Sequence, residues 1–153
     1  MMQRDNIDRA MAIMETAFDP QWGEAWNRRQ LEASLAVPGT HLLLANQAGG
    51  IAELDEEAVG FTLSRSVAGE EELLLIAVVP EYRNRGIGSS ILSLFLKQAT
   101  SRGIGVIFLE MRANNTAKSL YKKYGFVPIG RRKDYYKTAE GSRLDAITFS
   151  LTI

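Results

Sequence analysis

A chain of 153 residues is long enough to bury a core of its own. Its 18 Lys and Arg balance its 18 Asp and Glu, and the zero net charge argues against bulk nucleic-acid binding. The absence of cysteine excludes a disulfide framework, a thiol nucleophile and a thiolate metal site.

The elements follow in chain order. Asp5-Asn6 is the expected N-cap of a first helix, in which Ile7, Ala10, Met11, Met14, Ala17 and Phe18 recur at helical spacing. A second helix is predicted from Glu24 to Ala36, stopped by Pro38-Gly39. Strand-like runs cover Thr40 to Asn46, Ala58 to Ser66 and Glu71 to Val79. The acidic, glycine-bearing link Gln47 to Glu57 reads as a mobile hairpin loop, and Val67-Ala68-Gly69 as a turn. The single histidine, His41, opens an apolar run and reads as a strand-end residue, since no motif supplies a metal with further ligands.

A helix from Ser90 to Ser101 carries Ile91, Leu92, Phe95 and Ala99 on one stripe, and Gly103 ends it. Ile104 to Met111 is a dense apolar strand of the kind found beside a crossover helix. Thr116 to Tyr124 is a short helix ended by Gly125, and Phe126 to Gly130 begins another strand. In the last strand Ile147, Phe149, Leu151 and Ile153 alternate with Thr148, Ser150 and Thr152. The order ααβββαβαββ predicts one domain over residues 1–153, an α/β sandwich with a mixed, mostly antiparallel sheet flanked by helices. No apolar run reaches membrane-spanning length and no signal-peptide pattern opens the chain, so the expected setting is cytoplasmic.

The chemistry gathers at Val79-Pro80-Glu81-Tyr82-Arg83-Asn84-Arg85-Gly86-Ile87-Gly88-Ser89. A strand enters this run and a helix leaves it, an arrangement that aims free backbone N–H groups at one point with the helix dipole behind them. Gly86 and Gly88 are expected to take positive φ and to let a ligand approach the backbone. Arg83 and Arg85 add charge suited to phosphate. The loop lacks the Gly-Lys-Ser/Thr of a Walker motif and the third glycine of a dinucleotide fingerprint.

The pattern Arg83-x-x-Gly86-x-Gly88, with Asn114-x-x-Ala117-x-x-Leu120-Tyr121-x-x-x-Gly125-Phe126, resembles the GNAT family of acetyl-CoA-dependent N-acetyltransferases. The tail from Arg131 to Asp145, and Ala17-Phe18 ahead of Trp22, are similar to the RimI group, which acetylates the N-terminal alanine of a ribosomal protein. The resemblance implies acetyl-CoA as cosubstrate with no metal. It implies that Ile76, Ala77 and Val78 offer backbone groups to the pantetheine arm, and that the adjoining strand splays away there. Asn84, Arg85, Gly86, Ile87, Gly88 and Ser89 would hold the pyrophosphate.

The resemblance also implies Glu110 as general base, directly or through water, and Tyr121 as general acid toward the leaving thiolate. An apolar setting at the end of a buried strand is expected to improve Glu110 as a base. Read without the resemblance, Glu110 is an outward-facing strand residue, and Tyr121 and Tyr124 are aromatic packing. The spacing Glu110-Met111-Arg112-Ala113-Asn114 is one residue shorter than the family pattern, so either Asn114 or Asn115 contacts the cofactor. The basic-aromatic cluster Arg131, Arg132, Lys133, Tyr135 and Tyr136 reads as a solvated hairpin or as a face for a peptide or ribosomal RNA, and the resemblance implies that Tyr135 and Tyr136 border a peptide groove. A small amine, an antibiotic or a lysine side chain remains open as acceptor, as does a non-catalytic CoA-binding module. The identity of the acceptor, a role for the ribosome and the oligomeric state are not legible.

Overall fold

The computed structural model describes the backbone of residues 2–153 and the side chains of residues 5–153. Helix α1 covers Met2–Ala17, so Asp5 and Asn6 lie inside it and do not cap it. Ile7, Ala10, Ile13, Met14 and Ala17 form its buried stripe. One 3-10 turn follows at Pro20–Trp22, with Asp19 accepting from the Gln21 N–H at 2.9 Å. Helix α2 covers Arg28–Leu35 and starts later than the expected Glu24. The cause is a capping box: the Asn27 and Gln30 side chains each accept from the other's backbone N–H at 2.8 Å. Glu24 is thereby left in the connecting loop.

Six strands follow: β1 Thr40–Ala45, β2 Gly60–Val67, β3 Glu70–Val78, β4 Val106–Arg112, β5 Val127–Lys137 and β6 Arg143–Thr152. They form one sheet in the order β1-β2-β3-β4-β6-β5. Every neighbouring pair is antiparallel except β3–β4. Helix α3, Ile87–Ser101, is the crossover between those parallel strands, and α4, Lys118–Lys123, links β4 to β5. This is the α/β order expected from the sequence, with 3-10 turns added at Pro20–Trp22 and Pro80–Tyr82. None of the described helices is long and apolar enough to cross a membrane.

Helices α1 and α2 pack on one face against Leu44, Phe61, Leu63, Leu75 and Ala77. On the other face, α3 and α4 meet Leu73, Ile107, Leu109 and Phe149. Phe61, Phe95 and Phe149 are fully buried, each stabilising the fold by about 1.5–3 kcal/mol relative to exposure. Gly60 lets α3 come close, because a Cβ there would sit 2.4 Å from Ile91 Cδ1 and 2.9 Å from the Ala77 carbonyl. The 47–57 link is pinned, contrary to the mobile loop expected. Asn46 Oδ1 accepts from the N–H groups of Ala48 and Gly50 at 2.9 and 3.0 Å. Arg9 reaches from α1 to the carbonyls of Glu53 and Glu56, each at 2.9 Å.

Two features open the sheet. Leu63 pairs with Leu75 but Ser64 pairs with Leu73, so β3 bulges at Leu74 and its side chains exchange faces there. Leu73 joins the α3 side and Leu75 the α1 side. Pairing of β3 with β4 then runs only from Glu70↔Val106 to Leu73↔Leu109. Beyond that rung the two strands part, leaving Leu74–Val78 without a β4 partner. Helices α1 and α2 pack on β1, β2 and β3, so Phe108, Glu110 and Thr148 on the same face stay half-buried.

Candidate active site

The parted strands form the walls of two adjoining cavities. The smaller, about 300 Å³, lies between Leu73–Ile76 and Leu109–Met111 and is closed by Phe18, Glu24, Trp26, Gln30 and Tyr136. The larger, about 630 Å³, runs between Ile76, Ala77, Val78, Arg83, Asn84 and Gly88 on one side and Arg112, Asn114–Ala117 and Leu120 on the other. Ile76, Phe18, Glu24, Asn115 and Tyr121 line both.

The glycine loop presents its backbone to the larger cavity. Asn84 and Gly86 take left-handed φ of 61° and 79°. The first helical hydrogen bond of α3 runs from Ser90 N–H to the Gly86 carbonyl at 3.0 Å. No N–H from Asn84 to Ser89 makes a hydrogen bond among the described residues, and such a row of donors is a nest for an anion. Gly88 does not take positive φ; it is helical, because α3 begins at Ile87 and not at Ser90. Its lack of a side chain matters for space. A Cβ there would meet no protein atom nearer than Leu120 Cδ2, at 3.9 Å, so the volume it leaves open belongs to the cavity. The donor row and this open cradle fit a pyrophosphate.

The side chains of the loop divide. Arg83 donates through Nε to the Val78 carbonyl at 3.1 Å and through Nη2 to the Ala17 carbonyl, tying β3 and α1 to the loop. Arg85 stacks over Tyr82 at 5.1 Å and lines neither cavity. The Ile87 side chain is buried in the core beneath α3, so only its backbone is left for contact with a ligand. Ser89 Oγ lies 2.6 Å from the Tyr124 hydroxyl, which donates to the Ser89 carbonyl at 2.9 Å. Tyr124 thus fastens α4 to α3.

Tyr121 is buried beside Phe126, ring centroids 5.6 Å apart in edge-on contact. Its hydroxyl makes no hydrogen bond to a described residue, yet no buried side-chain atom among those residues lacks a partner. The oxygen therefore opens onto the cavities. Burial first, and then the Glu24 charge, raises its pKa above that of an ordinary tyrosine.

Glu110 lines the smaller cavity only. Its setting is polar, not apolar as expected. Thr148 Oγ1 donates to Glu110 Oε2 at 3.2 Å and Arg132 Nε lies 3.1 Å from the same oxygen. Oε1 accepts no hydrogen bond among the described residues. The polarity arises because β6 and β5 bring Thr148 and Arg132 alongside.

Asn114 Oδ1 accepts from Arg112 Nη1 at 2.9 Å, and Asn115 Oδ1 accepts from the Ala117 N–H at 2.8 Å. Both face the larger cavity, and Asn115 reaches the smaller as well. Tyr136 faces the smaller cavity, with its pKa pushed up to about 12 by burial, then by Glu110 and Glu24. Tyr135 lies outside it, half-exposed and edge-on to Tyr136 at 5.2 Å. His41 Nε2 sits 3.1 Å from Ser66 Oγ, remote from this site. Glu24, Arg112 and Thr148 were not singled out from the sequence; they enter the site through loop and strand geometry.

The sequence profile of the Acetyltransferase (GNAT) domain matches residues 41–128. The ribosomal protein bS18-alanine N-acetyltransferase of Haemophilus influenzae is 32% identical over 96 residues, covering 63% of this chain and 66% of that protein. The match therefore spans just under two thirds of that relative's length. The protein of the same name from Haemophilus ducreyi is 32% identical over 145 residues, 91% of this chain and 99% of its own. The crystal structure of the ribosomal-protein-S18-alanine N-acetyltransferase from Escherichia coli superposes with a TM-score of 0.81 at 26% identity. That superposition covers 96% of this chain and 87% of the other.

Proposed function

This chain belongs to the GNAT acetyltransferase family, and from that membership we propose that it carries acetyl from acetyl-CoA to the N-terminal α-amine of a polypeptide beginning with a small residue such as alanine. The shared wall of the two cavities carries the reading. Tyr121 and Ile76 line both, while Glu110 lines only the smaller. A thioester lying in the larger cavity and an amine entering the smaller would meet beside Tyr121. The similarity to bS18-alanine N-acetyltransferases supports the acceptor, and Glu24 and Glu110 border the smaller cavity that the neutral amine would enter. Residues 1–153 would act as one domain, in the cytoplasm, and the reaction as proposed uses no metal.

Acetyl-CoA supplies the acetyl group as an activated thioester. The N–H groups from Asn84 to Ser89 would hold its pyrophosphate, with charge from Arg83, which borders the larger cavity, while Arg85 stays stacked on Tyr82. The open edge of β3 at Ile76–Val78 would pair with the pantetheine arm, which hydrogen-bonds like a strand. Asn115, or Asn114 beside it, would close the opposite wall. Glu110 would take the amine proton directly or through water, and the Tyr121 hydroxyl would give its proton to the departing thiolate. An N–C bond forms, the C–S bond breaks, and each proton has a named donor or acceptor. An α-amine, of intrinsic pKa about 7.7–8.0, asks less of such a base than a lysine amine of about 10.4.

The test compares one peptide in two forms, a free N-terminal alanine with blocked lysines and a blocked N-terminus with a free lysine. Faster acetylation of the first is expected. Faster acetylation of the second would replace the proposed acceptor with a side-chain amine.

A further inference from the structure

Glu110 is gripped from the outer strands of the sheet. Arg132 reaches it from β5 and Thr148 from β6, and both meet Oε2. The backbone of β5 is shaped to allow this. Arg132 pairs with Ala146 and Tyr136 with Leu144, so Lys133, Asp134 and Tyr135 bulge between the two rungs. Asp134 takes a left-handed φ of 53°. Asp145 clamps the bulge, accepting from the Asp134 N–H at 2.9 Å and from Arg131 Nε at 2.5 Å. Arg131 is thus held at Asp145, and its neighbour Arg132 crosses the sheet to Glu110.

The exposures are unequal. The Arg132 side chain is 62% exposed and that of Glu110 18%. An arginine so open to water gains little stability from an ion pair, so the contact matters chiefly through what it does to its half-buried partner. Both contacts, the Thr148 hydrogen bond and the Arg132 ion pair, fall on Oε2, and neither engages Oε1. We infer that Arg132 is a positioning residue for acetyl transfer: together with Thr148 it holds Oε2 and keeps Oε1 turned toward the incoming amine. This rests on Glu110 acting as the base.

The experiment measures single-turnover acetylation of an alanine-initiated peptide with saturating acetyl-CoA. It uses the wild type, R132A, R132K, E110Q and the R132A/E110Q double variant, with melting curves to establish that each is folded. R132A is expected to lower the rate constant about 10-fold while the half-saturating peptide concentration changes little, as for a displaced reacting group. R132K recovers part of the loss, and R132A has no further effect in the E110Q background. A wild-type rate in folded R132A overturns the inference, as does an equal loss with and without Glu110. A wild-type rate in E110Q removes Glu110 as base, and the role of Arg132 falls with it.

Discussion

Arg112 and Glu24 are joined at 3.2 Å across the end of β4, although 88 positions separate them in the chain. The same guanidinium lies 4.2 Å from the Trp22 ring centre and donates to Asn114 at 2.9 Å. One side chain therefore holds the loop that closes the smaller cavity and the turn that borders the larger. R112A is expected to lower kcat/KM about 10-fold, equivalent to about 1.4 kcal/mol of transition-state binding. R112K should restore little, since an ammonium lacks the planar fork that meets these partners at once. Steady-state kinetics with both substrates varied is the check.

Substitution at Gly88 separates binding from folding. G88V places its side chain in cavity space, with no protein atom nearer to the new Cβ than 3.9 Å. The variant should fold normally and lose acetyl-CoA affinity in a calorimetric titration. Full affinity in a folded G88V would remove the loop from the cofactor site.

Tyr121→Phe keeps the edge-on contact with Phe126 and removes only the hydroxyl. Single-turnover rates should fall about 10²–10⁴-fold if that hydroxyl protonates the thiolate, with acetyl-CoA affinity unchanged. Burial raises the phenol's pKa, so the fold favours its neutral form. That stabilisation is complete below about pH 10 and lost as pH rises through the folded value. Denaturant titrations above pH 10 should accordingly show a shallower decline for Y121F.

Glu110→Gln should slow transfer most near neutral pH. The deficit should shrink above about pH 8, where a free α-amine is already neutral. A deficit constant across pH would mean that Glu110 orients the acceptor and does not take its proton.

Stability, in contrast, resides partly at a charge pair far from the chemistry. Glu71 is fully buried and accepts from Arg102 Nε and Nη2 at 3.1 and 2.5 Å. E71A leaves an arginine without its partner at the end of α3 and should cost about 3–5 kcal/mol in denaturant unfolding, with kcat per folded molecule unaltered.

The glycine loop, the crossover helix and the alternating last strand were legible because each is a local pattern. The start of α2 is fixed by Asn27 and Gln30, three positions apart, a capping pair that lies inside the helix predicted from Glu24. Glu71 sits in the acidic run Glu70-Glu71-Glu72, which reads as solvated surface. Only the register of β3 and the end of α3 turn it inward. The polar setting of Glu110 was hidden for a similar reason. Thr148 and Arg132 are supplied by strands 38 and 22 positions later in the sequence, and a bulge that no single residue announces sets the approach of Arg132.

Mechanically the sheet is two three-stranded leaves, β1-β2-β3 and β4-β6-β5, stitched by four rungs at one end. The hydrogen bonds between the leaves stop at Leu73, and from Leu74 to Val78 no rung joins them. An extended ligand arm lying in the open part would complete the stitching, so the protein would be most rigid in the complex that performs its chemistry.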